Sequence, residues 1–449
     1  MKKRLVFPST LSIALALSAF VFLSAMVLEF RSGKGILEST DKLVLAWYQG
    51  LWDNTPGGLY FAFQIIFILV LGHVLALTRP FEILIDFITN YCTNSANTAV
   101  IISLSSILLA YLNWGLALVL GALMVRQVLQ RFNQMNKPLN IGLIGASAYV
   151  SMLVWHGGLS GSSPIKAMEP MALREMMKNA GYPSSNEIPE LVGASETLFS
   201  AMNLTVFFAL LVLIPLTLYF LAKKLKHKEQ VPQVESRPSR KDVFVFKLNT
   251  AFFTGSLFLV IAFLVARFQL INSSAGFLNV NFINLSLLGL AILFHNNFER
   301  FTDAVKLAIG DASGILIQFP LYFGIIGLMK VSGLSNLLSE ALIDTATAQS
   351  FSILSFLSAG LLNFFIPSGG GQFYIQGPIL IQSAIEYGVS IPKTIMALSY
   401  GDQWTNMLQP FWALPLLGIT KIRLSDIFPY CLALFAVSGI VFFAALLLF

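Results

Sequence analysis

The residues best equipped for chemistry fall in four short strings. Two ionisable side chains stand inside apolar runs. His156 lies in Trp155-His156-Gly157-Gly158-Leu159-Ser160-Gly161-Ser162, and Asp402 in Gly401-Asp402-Gln403-Trp404-Thr405-Asn406-Met407-Leu408-Gln409. An imidazole titrates near neutrality and can carry a proton; it can equally make a structural hydrogen bond to backbone. A carboxylate can take a cation or a proton, or cap the half-helix that follows it. Both readings stay open for each residue. The other two strings are Leu112-Asn113-Trp114-Gly115 and Leu362-Asn363-Phe364-Phe365-Ile366-Pro367-Ser368-Gly369-Gly370-Gly371-Gln372. Their hydroxyls, amides and glycines suit a small anion, since a half-helix beginning near Gln372 would present free N–H groups. Close helix packing through small residues is the plainer alternative, and two clusters at matched positions weigh against it. The candidate substrate-binding set is therefore Asn113, Trp114, Gly115, His156, Gly157, Gly158, Ser160, Gly161, Ser162, Pro367, Ser368, Gly369, Gly370, Gly371, Gln372, Thr405, Asn406 and Gln409. Asp402, His156 and Asn363 are the candidates for a coupling ion.

Other chemistries lack their residues. The four histidines and two cysteines show no metal-ligand spacing, and no phosphate-binding loop, dinucleotide fingerprint or hydrolase motif is present. No cofactor or metal is expected, and the chain is read as not an enzyme; His156 with Asp402 or a nearby serine would be the sole catalytic material.

The elements that must position these strings are membrane helices. Of 449 residues, 56% are hydrophobic and 11% charged, with mean hydropathy +0.76, whereas soluble domains carry roughly 25% charged residues. Nine runs of spanning length fall near 10–29, 58–78, 140–163, 198–222, 244–266, 277–295, 309–331, 394–420 and 427–449. Two longer segments, 97–128 and 350–386, break at Asn113 to Gly115 and at Pro367 to Gly371. Broken backbone in a bilayer is tolerated only when it is buried in protein or lines a wet cavity, so both segments read as re-entrant hairpins. With Met1 inside and both hairpins returning to their own side, eighteen Lys/Arg fall inside and nine outside. That is the bias of cytoplasmic loops. The positive balance of +6 thus reports orientation and gives no sign of nucleic-acid binding.

The strings also recur. Asn113 and Asn363 mark the two breaks, and each hairpin is followed by a polar, interrupted span, at 140–163 and 394–420. The order predicts two inverted repeats, 1–222 and 277–449, joined by a basic cytoplasmic linker at 223–243 and a linking span at 244–266. Such repeats with discontinuous helices characterise secondary transporters.

At these same strings the chain resembles the short-chain fatty acid transporter family, the bacterial acetoacetate/butyrate permeases. Gln318-Phe319-Pro320-Leu321-Tyr322-Phe323-Gly324-Ile325 and Pro410-Phe411-Trp412-Ala413-Leu414-Pro415 extend the likeness, which runs from about residue 58 to the carboxyl end. Residues 79–96 and 165–197 carry no family pattern, and Phe373-Tyr374 departs from it. The resemblance implies an all-α polytopic protein similar to the ion transporter superfamily. It implies a homodimer in the bacterial inner membrane, and the Lys/Arg count places the amino end in the cytoplasm and the carboxyl end in the periplasm. It also implies secondary transport of butyrate, acetoacetate or a related monocarboxylate, coupled to protons or sodium, by an elevator-like movement. A sodium/proton exchanger or an amino-acid or dicarboxylate carrier of the same superfamily is the alternative.

Overall fold

A computed structural model describes residues 8–52, 59–182, 187–233, 247–271 and 280–449. The second part of the expected linker lies outside them. Among the described residues every regular element is a helix, and a lone antiparallel bridge joins Leu139 to Gln230. Eight helices are long and apolar enough to cross a membrane, or nine if one bent pair counts as a span.

Helices on the expected uninterrupted runs are α1 (Thr10–Arg31), α3 (Leu59–Ala76), α10 (Ala201–Lys224), α11 (Thr250–Ile271), α14 (Ser313–Ser332) and α20 (Leu424–Leu448), together with α12 (Val280–His295), which is shorter than a spanning helix. The linking span thus begins at Thr250 and runs to Ile271, some residues later than the expected 244–266. Five further helices have no counterpart among the expected runs: α2 (Ile36–Trp52), α4 (Arg79–Thr89), α9 (Ala172–Asn179), α13 (Phe298–Ala308) and α15 (Leu334–Ile343). All five are short or amphipathic, so they add little to a hydropathy run of spanning length. Helix α4 turns 84° away from α3, with Pro80 at the start of its first turn. Helix α2 lies along α14, where close approach needs glycine: a Cβ on Gly324 would meet Trp47 Nε1 at 2.7 Å.

Both broken segments fold back on themselves. In the first, α5 (Ser95–Leu112) and α6 (Trp114–Gln134) meet at Asn113. Gly121 lies against Ser106 Oγ, where a Cβ would come within 3.1 Å. In the second, α16 (Phe351–Asn363) and α17 (Gly369–Glu386) flank a break at 364–368. Gln372 Nε2 donates to Ala359 O at 2.8 Å and Gln376 Nε2 to Ser358 Oγ at 2.9 Å. Residues nearly equidistant from each break therefore touch, as antiparallel arms require.

Both interrupted stretches consist of short helices separated by 3-10 turns. The first comprises α7 (Ile141–Tyr149), two 3-10 turns at Val150–Leu153 and Trp155–Gly157, and the short α8 (Ser162–Ala167). The second comprises α18 (Ile391–Thr405), a 3-10 turn at Asn406–Leu408 and α19 (Pro410–Thr420). Between 165–182, which includes α9 (Ala172–Asn179), and 187–197, apolar residues form a separate cluster with the second hairpin, where Leu173, Met176 and Ile188 pack with Phe373 and Leu380.

Candidate functional site

Each hairpin tip is pinned to the interrupted span that follows it. Asn113 caps α6, its Oδ1 accepting from Leu116 N at 3.0 Å. Trp114 N donates to Ser160 Oγ at 3.0 Å, and Leu159 N to Tyr111 O at 2.7 Å. At the second tip, Asn363 Nδ2 lies 2.7 Å from Asp402 O, 2.9 Å from Thr405 Oγ1 and 2.9 Å from Asn406 Oδ1. Gln409 Nε2 returns the contact to Asn363 O. Thr405, Asn406 and Gln409 are thus brought together around Asn363, all of them buried.

The two interrupted spans also cross. His156 Nδ1 lies 2.5 Å from Asp402 Oδ2, with both side chains fully buried. Gln403 Oε1 accepts from the backbone N–H groups of His156 (3.0 Å) and Gly157 (3.3 Å). Tyr149 OH donates to the carbonyls of Asn406 (2.8 Å) and Gln409 (3.0 Å). Tyr400 OH donates to Asn203 Oδ1 at 3.0 Å, while Asn203 Nδ2 donates to Gly157 O at 2.8 Å.

Hydrogen-bond logic fixes the imidazole's protonation. Ser163 N donates to His156 Nε2 at 3.1 Å, and Ser163 Oγ stands 2.9 Å from it. A backbone N–H can only donate, so Nε2 is an acceptor and the ring proton sits on Nδ1, facing Asp402. That arrangement sets the ring's Nδ1–H against the Asp402 carboxyl group. The second carboxylate oxygen, Asp402 Oδ1, is buried and accepts no hydrogen bond from the described residues. The same holds for Asn363 Oδ1, Gln372 Oε1 and Gln409 Oε1. Buried acceptors left without donors are costly, about 1–3 kcal/mol each, and more for a charge.

The glycines divide into two kinds. Three of them make room for neighbouring chain. A Cβ on Gly158 would meet Tyr111 O at 2.5 Å, one on Gly157 would meet Asn203 Oδ1 at 2.6 Å, and one on Gly161 would overlap the His156 carbonyl oxygen. Gly115 similarly abuts Ile68 Cδ1. These four serve packing. The triplet Gly369 to Gly371 behaves otherwise and corrects an expectation: it forms the first turn of α17, capped by Ser368, so the helix starts at Gly369 and not near Gln372. First-turn N–H groups have no intrahelical acceptor, and the Ser368 cap engages that of Gly371 at 3.3 Å. Gly369 also touches the buried pair, where a Cβ would stand 2.6 Å from His156 Cε1 and 2.9 Å from Asp402 Oδ2. Gly370 faces Ser162, and a Cβ there would stand 3.6 Å from Ser162 Cβ, an ordinary contact. Pro367 is buried at the break, whereas Gln372 points away from the tip into the hairpin's own interior.

Aromatic rings close the site. Trp155 stacks on His156 with ring centroids 4.4 Å apart, and Trp114 approaches Trp155 at 6.0 Å and Trp412 at 5.1 Å. Phe411 stacks on Phe319 of α14 at 4.0 Å. Beside Gln409 opens a largely apolar cavity of about 200 Å³, walled by Leu17, Tyr322, Phe364, Phe411 and Phe428. The short α8 also carries a cation. Lys166, one turn beyond Ser162, lies over the Tyr374 ring at 5.8 Å and pairs with Glu169 at 2.5 Å.

Sequence reasoning does not single out Tyr149, Asn203 or Tyr400 for roles here. Ser163 belongs with the hydroxyls of the first interrupted span that the sequence marks, and Gln403 lies inside the Gly401–Gln409 string. The tyrosines and Asn203 sit in ordinary apolar helices and offer no such signal.

Over residues 2–449 the chain matches the family described as "Short chain fatty acid transporter". It is 33% identical over 423 residues to a protein of Escherichia coli (strain K12), covering 91% of this chain and 90% of that one. It is 30% identical over 422 residues to a protein of Haemophilus influenzae, covering 92% and 91%. Both carry the name "Putative short-chain fatty acid transporter". Among solved structures, that of the Alcanivorax borkumensis YdaH transporter aligns over 98% of each chain at 13% identity, with a TM-score of 0.46. A match along nearly the whole length, spanning both hairpins and both interrupted spans, makes this chain a member of the short-chain fatty acid transporter family.

Proposed function

We propose that the protein carries a small monocarboxylate such as butyrate or acetoacetate across the bacterial inner membrane together with a proton, and that Asp402 receives that proton. The supporting observation is Asp402 Oδ1, a buried carboxylate oxygen with no donor among the described residues, beside an imidazole whose other nitrogen is already satisfied by Ser163. A proton there would supply the hydrogen-bond donor that this buried oxygen lacks among the described residues. The anion is held by donors at the tip of the second hairpin: the first-turn amides of α17, the hydroxyls of Ser162 and Ser368, and Trp155 Nε1, which is buried without a partner among the described residues. The cavity beside Gln409 gives an apolar tail its room.

In this reading the hairpins are re-entrant, the halves are inverted repeats, and the segment carrying both tips moves past α14 as an elevator within a homodimer. The shared order of hairpin, interrupted span and long helix in each half supports it. Sodium is the second reading for the coupling ion, favoured by the other unpaired oxygens on Asn363 and Gln409. An acyl-transfer reading of the Ser163–His156–Asp402 chain is disfavoured because Ser163 is fully buried and its backbone N–H shares Nε2 with its hydroxyl.

Uptake of labelled butyrate and acetoacetate into proteoliposomes, with pH and sodium gradients imposed separately, tests the proposal. Empty liposomes supply the background, since neutral short-chain acids cross lipid unaided. Accumulation driven by external acidity without sodium is expected. Accumulation that follows sodium alone establishes the second reading, and competition by succinate but not by butyrate rejects a monocarboxylate carrier.

A further inference from the structure

A cavity of about 450 Å³ lies away from the interrupted spans, between α4 and the second arm of the first hairpin, α6. Arg79, Arg126 and Arg131 line it, together with Glu82 and Asp86, which leaves a formal charge of one positive. Both acids are engaged locally. Glu82 pairs with Arg79 at 3.3 Å, and Asp86 accepts from Gln127 Nε2 at 2.8 Å. The Arg131 guanidinium is held in place by two neutral acceptors, Thr89 O at 2.9 Å and Asn90 Oδ1 at 2.7 Å. Arg126 is oriented against His73 Nε2 at 3.4 Å. Planar, fixed guanidinium groups match the paired oxygens of a phosphate better than those of a lone halide or a hydrophobic solute.

The surroundings indicate where such a phosphate would come from. Helix α4 lies across the end of α3, and its outward face exposes Ile83, Leu84 and Phe87, with Tyr91 just beyond its end, from 49% to 61% each. Its inward face is fixed by Phe81, whose ring lies 6.3 Å from that of Phe294. A strongly amphipathic helix so placed rests at a membrane interface with its apolar side among acyl chains. The arginine cavity behind it then sits at headgroup depth. Its lining reaches Gln134 at the end of α6, shortly before Leu139, which bridges to Gln230 just after Lys223, Lys224, Lys226 and Lys228. With these loops read as cytoplasmic, this is the side on which anionic lipid and basic residues meet.

We propose that this cavity binds a phosphate-bearing anion, and that its occupant is the headgroup of an anionic phospholipid, bridging α4 to the first hairpin. The test is thermal unfolding of the purified full-length chain in detergent supplemented with phosphatidylglycerol, with phosphatidylcholine, or with inorganic phosphate. Phosphatidylglycerol is expected to raise the midpoint by several degrees beyond phosphatidylcholine, and inorganic phosphate to give a smaller rise. Arg126→Gln and Arg131→Gln should each lose most of the phosphatidylglycerol-specific shift, while Lys306→Gln, an exposed cation on α13, should keep it. Because Arg131 also ties down Thr89 and Asn90, Arg79→Gln provides a milder variant with the same expected direction. No difference between the two lipids, or an undiminished shift in Arg126→Gln and Arg79→Gln, overturns the proposal. A full shift from inorganic phosphate alone rejects the lipid as its source.

Discussion

His156 and Asp402 are identifiable individually because ionisable groups are rare in apolar runs, but their partnership is not. They lie 246 residues apart, and no local spacing connects them. Once paired, their neighbours acquire definite roles that substitution can separate. Ser163→Ala removes the hydroxyl near His156 Nε2 yet leaves the backbone N–H that fixes the tautomer. The expected result is a stability loss of about 1 kcal/mol with transport retained within a few fold, measured by chemical unfolding and by uptake. Complete loss of transport in a well-folded Ser163→Ala protein would instead make the hydroxyl a working part of the site. Tyr400→Phe should behave similarly, since its hydroxyl supports Asn203 at one remove from the pair.

Hairpins and interrupted spans follow from hydropathy and helix-breaking residues, and the first break falls at Asn113 as the sequence predicts. The second differs in detail, because three glycines read as the end of a helix while a helix's first turn tolerates them under a Ser368 cap. Their tertiary setting explains the sequence. Gly369→Ala would drive a methyl to within 2.6 Å of His156 and 2.8 Å of Trp155, so the tip must shift and transport should fall by more than about tenfold, roughly 1.4 kcal/mol in the barrier. Gly370→Ala meets only Ser162 at 3.6 Å and should fold and transport nearly normally. Equal loss in both variants would show that backbone freedom, and not contact with the pair, is what the triplet provides. Asn363→Ala leaves the Thr405 and Asn406 side chains and the Asp402 carbonyl short of their shared donor. A destabilisation of about 2–3 kcal/mol is expected from the buried groups left unpaired, seen as a lower unfolding midpoint.

Overall chain order is largely readable, since spanning runs and basic loops report position along the membrane normal. Packing is not: α2, α4, α13 and α15 contribute short or two-faced helices whose partners are distant in sequence. The proposed re-entrant hairpins open to opposite sides of the membrane, which single cysteines can check. Cys92 is buried, which pushes its thiol up to about 11, and Cys431 is buried in α20, so the unmodified chain should stay unlabelled by maleimide near neutral pH. Cysteines at Thr93 and Lys137, flanking the first hairpin, should then react from the cytoplasmic side only. Those at Thr347 and Glu386, flanking the second, should react from the opposite side only. If Thr93 and Lys137 label from different sides, α5 and α6 are full spans and the inverted arrangement fails. The central claim, that a proton on Asp402 accompanies the carboxylate, is tested most directly by Asp402→Asn in proteoliposomes. An amide there mimics the protonated acid and cannot exchange a proton. The account predicts that labelled acetoacetate still exchanges with unlabelled acetoacetate across the membrane, while an imposed pH gradient no longer drives accumulation. An Asp402→Asn protein that concentrates acetoacetate under a pH gradient as well as the unaltered chain does would contradict it.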